Sequence, residues 1–222
     1  MIIINKREIA LSLYDAQALT EESALMQKWE ELQLFFDLSQ DAFQLSRPSA
    51  PRIASRLALL EFYQKTDYRD TKYNPFVLQE FSKFTASDPR LCSFSHTKDM
   101  GAVLLASSEN YRGIGVDVEW SDRSMKPGAE KYFIQHEDDR KLLEQYSLLE
   151  IWAIKEACFK SLTLPMMGTN QLIKSVILKH PNHFICQHQN IFIAGEFEKQ
   201  HFTFSKRELI VATAWISKHD AH

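Results

Sequence analysis

The segment GIGVDVEW, residues 113–120, places two carboxylates one residue apart, at Asp117 and Glu119. Successive side chains of a β-strand point to opposite faces, so Val116 and Val118 would face a core while both acids share the other side. Neighbouring like charges repel, and burial would raise the pKa of at least one carboxyl group. The pattern is typical either of an edge strand with a solvated acidic face or of ligands for a hard cation such as Mg²⁺.

A third carboxylate lies further along the chain, in WAIKEACFK at residues 152–160. On a helix, Trp152, Glu156 and Lys160 fall at i, i+4 and i+8, on one face. The Glu–Lys pair is either surface decoration worth about 0.2–0.5 kcal/mol or part of a cleft wall. The second interpretation rests on the tryptophan, which is costly to leave in water.

A third segment, FSHTK at residues 94–98, combines Ser95 and His96 at a point where a turn meets a strand. A hydroxyl, an imidazole and free backbone N–H groups together suit a phosphate oxygen. A plain turn with a capping serine explains the same residues equally well.

The composition is that of a globular protein, with 45% hydrophobic and 25% charged residues among 222. This length suffices for one sizeable core or for two small lobes. The net charge of −3 gives no support to a nucleic-acid partner, which is usually met by a basic surface.

The three cysteines, Cys92, Cys158 and Cys186, are far apart and odd in number. This spacing predicts neither a zinc site nor a disulfide framework, and it favours reduced, buried thiols in a reducing compartment. The N-terminal apolar run is too short for a signal sequence, and no run approaches the roughly 20 apolar residues of a membrane helix. We therefore expect a cytoplasmic protein without a membrane partner.

Hydrophobic periodicity predicts helices and strands in both halves of the chain. In the first half we expect a strand pair within residues 2–14, two helices, an irregular stretch and a further strand. That strand, near residues 100–107, could form a hairpin with the strand at 111–120. In the second half we expect a mobile loop at 121–130, a helical region broken near 146–147, and five short strands: SVILKH, HFICQH, NIFIAGEF, HFTFSK and LIVATAWIS. Helices precede strands in each half, which is typical of an α+β fold.

Together these segments resemble the signature motifs of the 4′-phosphopantetheinyl transferase superfamily. GVDVE (115–119) is similar to its G-x-D-x-E strand, WAIKEACFK (152–160) to its W-x-x-K-E-x-x-x-K helix, and FSHT (94–97) to its N-x-S-H-S motif. YFIQHEDDRKLL (132–143) resembles the stretch after the family's flexible loop. The chain length and the long N-terminal extension resemble the Sfp-like type, which is usually monomeric, rather than the short trimeric type.

The resemblance implies transfer of 4′-phosphopantetheine from coenzyme A to a serine of an apo acyl or peptidyl carrier protein. This is holo-[acyl-carrier-protein] synthase activity, as used in fatty acid biosynthesis, and it releases adenosine 3′,5′-bisphosphate. Asp117, Glu119 and Glu156 would then hold Mg²⁺, although Mn²⁺ also suits oxygen ligands. Lys160 would contact the phosphates, and Glu156 is the candidate acceptor of the serine proton.

The same resemblance implies further contacts to coenzyme A. Ser95 and His96 would bind its phosphates, with Lys155 as an additional cation. Arg52 and Arg56 lie on a predicted helix from which the family often supplies an arginine to the 3′-phosphate. Arginine pairs well with phosphate, but both are equally consistent with solvated helix residues.

The chain departs from the family pattern at three places. The usual G-K-P segment is missing; TKYNPFV (71–77) is a poor match, with Lys72 as the candidate substitute. Ser93 replaces the asparagine of N-x-S-H, and SLTLPMM (161–167) stands where the family often has a G-x-G-L turn. The adenine and pantetheine contacts are therefore expected to differ from those of the family.

The implied architecture is two pseudo-symmetric α+β lobes, 1–112 and 113–222, each a small antiparallel sheet with packed helices and with coenzyme A between them. Three other functions fit less of the sequence. They are a metal-dependent phosphohydrolase acting on a nucleotide, a non-catalytic module that binds coenzyme A or a carrier protein, and a structural protein with coincidental motifs. The loop at 121–130 is either a carrier-protein contact or a plain solvated loop.

Overall fold

The computed structural model describes residues 3–6, 9–35, 49–66, 90–162, 173–188 and 191–218. Its helices are α1 (Glu22–Phe35), α2 (Ala50–Lys65), α3 (Glu137–Lys141) and α4 (Leu148–Ser161), with 3₁₀ turns at Ala129–Tyr132 and Leu142–Glu144. Its strands are β1 (Ile3–Lys6), β2 (Ile9–Asp15), β3 (Arg90–His96), β4 (Met100–Ser107), β5 (Tyr111–Trp120), β6 (Val176–Lys179), β7 (His183–His188), β8 (Ile191–Phe204) and β9 (Arg207–Ser217). The predicted α+β class is confirmed. None of the helices in these ranges has the length and apolarity needed to cross a bilayer.

The chain divides into two compact units, Met1–Leu105 and Ala106–His222. The division falls within β4, earlier than the predicted boundary between residues 112 and 113.

The first unit contains a four-stranded sheet in the order β1-β2-β4-β3. Strands β1 and β2 form the antiparallel pair expected for the N-terminal segment, with Ile4 opposite Leu11. Helix α2 lies close to β4, since a Cβ atom at Gly101 would come within 2.1 Å of the Ala54 carbonyl carbon. Only a residue without a side chain allows this approach.

The second unit contains a five-stranded antiparallel sheet in the order β5-β9-β8-β7-β6. Helix α4 packs on one face, and their shared core includes Ile151, Ile154, Phe184, Phe197 and Ala212. This core is what fixes the helix against β5 and β9.

Two strand predictions are wrong. NIFIAGEF and HFTFSK are not separate strands, since both lie within the single long strand β8. Strands β4 and β5 do not form a hairpin, since β4 belongs to the first sheet and β5 pairs with β9. A short connection permits a hairpin but does not impose one.

The helical region after the loop is broken as expected near residues 146–147. Ser147 caps α4 by accepting a hydrogen bond from the Glu150 backbone N–H, while the Glu150 side chain accepts one from the Ser147 N–H. This reciprocal capping box satisfies two backbone donors that a helix start leaves open. It begins α4 at Leu148 and so sets the register of the helix.

The three cysteines are buried and free. This agrees with the prediction of reduced thiols rather than disulfides. Burial raises the pKa of the Cys158 thiol, which is packed in the core of the second unit.

Candidate functional site

Strand β5 carries two of the predicted acids on the face that meets helix α4. Val116 and Val118 are completely buried, while Asp117 and Glu119 are also largely buried, at 6% and 7% exposed. The acidic face is therefore not the solvated face of an edge strand. It is covered, and buried carboxylates need compensating charge or hydrogen bonds.

Gly115 explains how α4 reaches this face. A Cβ atom at this position would lie 1.9 Å from the Ala157 carbonyl oxygen and 2.7 Å from the Ser161 amide nitrogen. Both distances are far below van der Waals contact, so a side chain here would force the helix away. The glycine of GVDVE thus brings the α4 backbone directly onto the strand that carries the acids.

Helix α4 presents Trp152, Glu156 and Lys160 as the predicted stripe, and all three side chains are half-buried. Trp152 packs edge-to-face on Phe133, with ring centroids 5.2 Å apart. The stripe therefore lies against other parts of the second unit instead of forming an open helix surface.

Lys160 joins α4 to β5. Its ammonium donates hydrogen bonds to the Asp117 carboxylate at 2.7 Å and to the Val116 carbonyl oxygen at 3.0 Å. The ammonium is only partly exposed, since the Lys160 side chain is 25% accessible. A hydrogen-bonded ion pair in this setting is stronger than an exposed pair.

Glu156 lies within the field of these same charges. Burial and the negative charge of Asp117 raise the pKa of Glu156 to about 7, against the opposing effects of Lys160 and Arg123. A carboxyl group with a pKa near neutrality exchanges a proton readily at physiological pH. The helical acid and the strand acid therefore interact electrostatically.

The fifth charged group of the site is Arg123, which follows β5 in the loop. Its guanidinium donates to a carboxylate oxygen of Glu119. The Arg123 side chain is 51% exposed, whereas that of Glu119 is 9% exposed. Each strand acid thus contacts one cation of the chain, Asp117 through Lys160 and Glu119 through Arg123.

A contact that the sequence does not reveal fixes the turn in which Arg123 lies. Arg207, at the start of β9, donates to both carboxylate oxygens of Asp122 at 3.0 and 3.1 Å, and its guanidinium stacks 4.1 Å from the centroid of the Trp120 ring. The Arg123 N–H donates to the Trp120 carbonyl oxygen at 2.9 Å. No local signal reveals this contact, because Asp122 and Arg207 are far apart in sequence.

The three predicted metal ligands are all carboxylates. Asp117, Glu119 and Glu156 are oxygen donors of the kind that Mg²⁺ and Mn²⁺ prefer. In the part of the chain that the structure describes, no group of three or more His, Cys, Asp or Glu side chains is arranged to hold a metal ion. The donor types therefore fit the metal, although these three side chains do not form such a group in this structure.

Lys155 does not serve as predicted. Its ammonium is completely buried and donates to the Phe133 carbonyl oxygen, Asp139 Oδ2 and the Val176 carbonyl oxygen, at 2.5, 2.6 and 2.7 Å. All three N–H donors of a lysine ammonium are then used inside the fold. Burial lowers the pKa of Lys155, against the opposing effect of Asp139. We correct the expectation of a phosphate contact: Lys155 ties α4 to neighbouring elements.

Asp139 is a buried residue that the sequence did not single out. It belongs to the acidic first turn of α3 and is completely buried. Besides Lys155, it accepts a hydrogen bond from the Leu178 N–H at 3.0 Å. In the sequence it is indistinguishable from Glu137 and Asp138, and only the packing selects it.

The remaining predicted contacts lie in the first unit, except for Lys72, which falls outside the described residues. Ser95 and His96 end strand β3, and Ser95 is buried. Arg56 of α2 is buried over the Phe94 ring, 4.4 Å from its centroid, while Arg52 is exposed. Burial lowers the pKa of Arg56 to about 10. The structure thus brings Arg56, and not the exposed Arg52, beside the strand that carries the serine and histidine.

Residues 113–214 match the family model of the 4′-phosphopantetheinyl transferase superfamily. This part of the chain is similar to that superfamily. The predicted recognition is thereby confirmed, and the Sfp-like type stays a prediction. None of the curated proteins matches the chain.

The match to the superfamily includes every charged residue at the contact between α4 and β5. Asp117, Glu119, Glu156 and Lys160 all lie inside it, whereas Ser95, His96, Arg52 and Arg56 lie before it. The match supports a transferase of the phosphopantetheinyl type.

Proposed function

We propose that this chain transfers the 4′-phosphopantetheine group of coenzyme A to a serine of an apo acyl or peptidyl carrier protein, in a reaction that depends on Mg²⁺. The products are the holo carrier protein and adenosine 3′,5′-bisphosphate. The match to the superfamily supports the reaction class. The substrates and the metal rest on the resemblance of the motifs and on the arrangement of charges between β5 and α4.

The observation that carries the proposal is the meeting of α4 and β5 at charged residues. Lys160 donates to Asp117 at 2.7 Å, and Glu156 lies one turn before Lys160 on the same helix. Asp117 and Glu119 each have a cation of the chain beside them, yet the pKa of Glu156 is raised to about 7 by its burial and by the charge of Asp117. A divalent cation bound among the three acids would offset this remaining repulsion.

Each residue of the site has a distinct proposed role. Asp117, Glu119 and Glu156 would hold Mg²⁺ or Mn²⁺, which neutralises the diphosphate of coenzyme A when bound. Lys160 stabilises negative charge that develops on the phosphate, as an ammonium already fixed beside Asp117. Glu156 accepts the proton of the attacking serine hydroxyl on its carboxylate, a task for which a pKa near neutrality is suitable.

Further phosphate contacts are assigned to the first unit by the same resemblance. Ser95 and His96 offer a hydroxyl and an imidazole, and Arg56 offers a guanidinium beside the same strand. Arg52 is the alternative from the exposed side of α2, and Lys72 is the candidate for the adenine end. We propose Arg56 before Arg52, because it lies next to β3.

The proposed partners are coenzyme A and a carrier protein, with no nucleic acid and no membrane. We also propose that the chain acts as a monomer in the cytoplasm. The three free, buried cysteines are consistent with a reducing compartment.

The test is an incubation of the purified protein with coenzyme A, Mg²⁺ and apo carrier proteins, followed by mass spectrometry of the carrier protein. We expect a mass gain on serine that corresponds to phosphopantetheine. Glu156→Gln should fold but lose this gain. Glu144→Gln is the matched control, because Glu144 is an exposed acid of the same unit. Full activity of Glu156→Gln would contradict the assignment of the site.

The same experiment separates the alternative functions. Release of phosphate from coenzyme A without any carrier protein would indicate a phosphohydrolase. Binding of coenzyme A with neither transfer nor hydrolysis would indicate a non-catalytic module.

A further inference from the structure

The two strand acids are held by cations in different ways. Lys160 is anchored by the Val116 carbonyl oxygen as well as by Asp117, and it belongs to a helix packed in the core. Arg123 reaches Glu119 from a loop, and about half of its side chain is exposed. The arginine is therefore the cation that can leave its acid without disturbing the core.

The loop backbone does not need to move for this to happen. The Arg123 N–H donates to the Trp120 carbonyl oxygen, and Asp122 is clamped by Arg207. The turn is thus fixed at both sides, while the arginine side chain is long and rotates about several bonds. A change of partner needs only a rotation of this side chain.

The pairing has a direct consequence for the binding of metal. A carboxylate that accepts a hydrogen bond from a guanidinium has less negative charge to offer a cation, and two cations at one carboxylate repel each other. The three acids are not arranged to hold a metal ion in the described part of the chain. Glu119 is one of these three acids, and its carboxylate is paired with Arg123.

We propose that Arg123 is a built-in competitor of the divalent cation at Glu119. Its guanidinium neutralises Glu119 when no cation is bound, and it leaves Glu119 when the cation binds. Arg123 thereby sets the concentration at which the metal site fills, and it keeps Glu119 neutralised below that concentration. This inference rests on the proposed function only in taking Asp117, Glu119 and Glu156 as the metal ligands.

The proposal is tested by measuring Mn²⁺ binding to the full chain without coenzyme A, from the electron paramagnetic resonance signal of free Mn²⁺. Arg123→Gln removes the competing charge and should lower the Kd by about two- to fivefold. This corresponds to about 0.4–1 kcal/mol at 1.4 kcal/mol per factor of ten, the range of an exposed ion pair. Arg140→Gln is the matched control, because Arg140 forms an exposed pair with Glu137 on α3, and its Kd should equal that of the wild type.

A double variant distinguishes competition at Glu119 from general repulsion between Arg123 and the metal. In a Glu119→Gln background the pair no longer exists, so Arg123→Gln should have no effect on the remaining affinity. An equal effect in both backgrounds would overturn the proposal. An unchanged or higher Kd for Arg123→Gln alone, or no Mn²⁺ binding by any variant, would also overturn it.

The outcome is separable from that of the proposed function. If Glu156→Gln weakens Mn²⁺ binding and Arg123→Gln has no effect, the metal site stands and the competition by Arg123 fails. If Glu156→Gln leaves the Kd unchanged, the metal ligands themselves are wrongly assigned. In that case a change in the Kd caused by Arg123→Gln does not arise at the proposed metal site, so the inference fails as well.

Discussion

Replacing Gly115 with alanine should force helix α4 away from strand β5. The added Cβ would lie 1.9 Å from the Ala157 carbonyl oxygen, while ordinary contact begins at 3.4 Å. The neighbouring backbones must therefore separate by about 1.5 Å, because the obstructing atom is main chain and cannot rotate away. Overpacking of this kind costs about 1–3 kcal/mol in the free energy of unfolding.

The same displacement would disturb the charges of the site. The Lys160 ammonium lies 2.7 Å from the Asp117 carboxylate. A shift of more than about 1 Å would lengthen this distance beyond that of a normal hydrogen bond. Glu156 lies one turn earlier on the helix and would move with Lys160. A misplacement of about 1 Å is sufficient to lower a catalytic rate by about 100-fold.

The assay compares transfer activity per folded molecule with the midpoint of thermal unfolding. Gly195→Ala is the control, because its Cβ would also meet other atoms closely, 2.5 Å from both the Phe184 ring and the Trp215 carbonyl oxygen. Gly195 lies on β8, which β9 separates from β5. Both variants should lose stability, and only Gly115→Ala should lose most of the activity of its folded fraction. Equal activity losses in the two variants, or full activity of Gly115→Ala, would refute the reasoning.

Two further predictions concern the supports of α4. Lys155→Met should lower the free energy of unfolding by about 3–5 kcal/mol, because it leaves Asp139 as a buried, uncompensated charge. Urea unfolding measures this change in stability. A Lys155→Met/Asp139→Asn double variant should regain part of the lost stability. Loss of transfer activity at unchanged stability would instead support a phosphate contact. For Glu150, burial would raise the pKa, but hydrogen bonds from Lys199, Ser147 and His201 hold it at about 2, below its usual 4.5. Its ionised form therefore stabilises the fold above about pH 4.5, and this contribution is lost as the pH falls towards 2. Glu150→Gln should narrow the difference in Tm between neutral and acidic solution, and an unchanged difference would contradict the ion pair.

Much of the secondary structure follows from local patterns. Helices α1 and α2, the pair β1–β2, strand β5 and the break before α4 are all visible in the sequence, because periodicity and caps act within a few residues. The partner of β5 is not visible. A short connection suggested pairing with β4, whereas the fold pairs β5 with the last strand, β9.

The same distinction applies to the charged residues of the site: local spacing predicts some of their positions, and only packing decides the others. The spacing in the sequence indicated that Glu156 and Lys160 share a face of α4. The other lysine of the motif, Lys155, illustrates the limit of this reasoning. Lys155 precedes Glu156 directly, and one helical step turns it onto a different face. Whether that face meets solvent, phosphate or Asp139 depends on what packs against it.

The sequence by itself determined which side chains share a face, since the periods of strands and helices are properties of the local backbone. Only the tertiary structure decided that the α4 backbone packs against Gly115, that Lys155 pairs with Asp139, and that Arg123 pairs with Glu119. These are contacts between distant segments or between a loop and a strand, and they arise from the packing of the whole unit, in which each buried charge must find a partner.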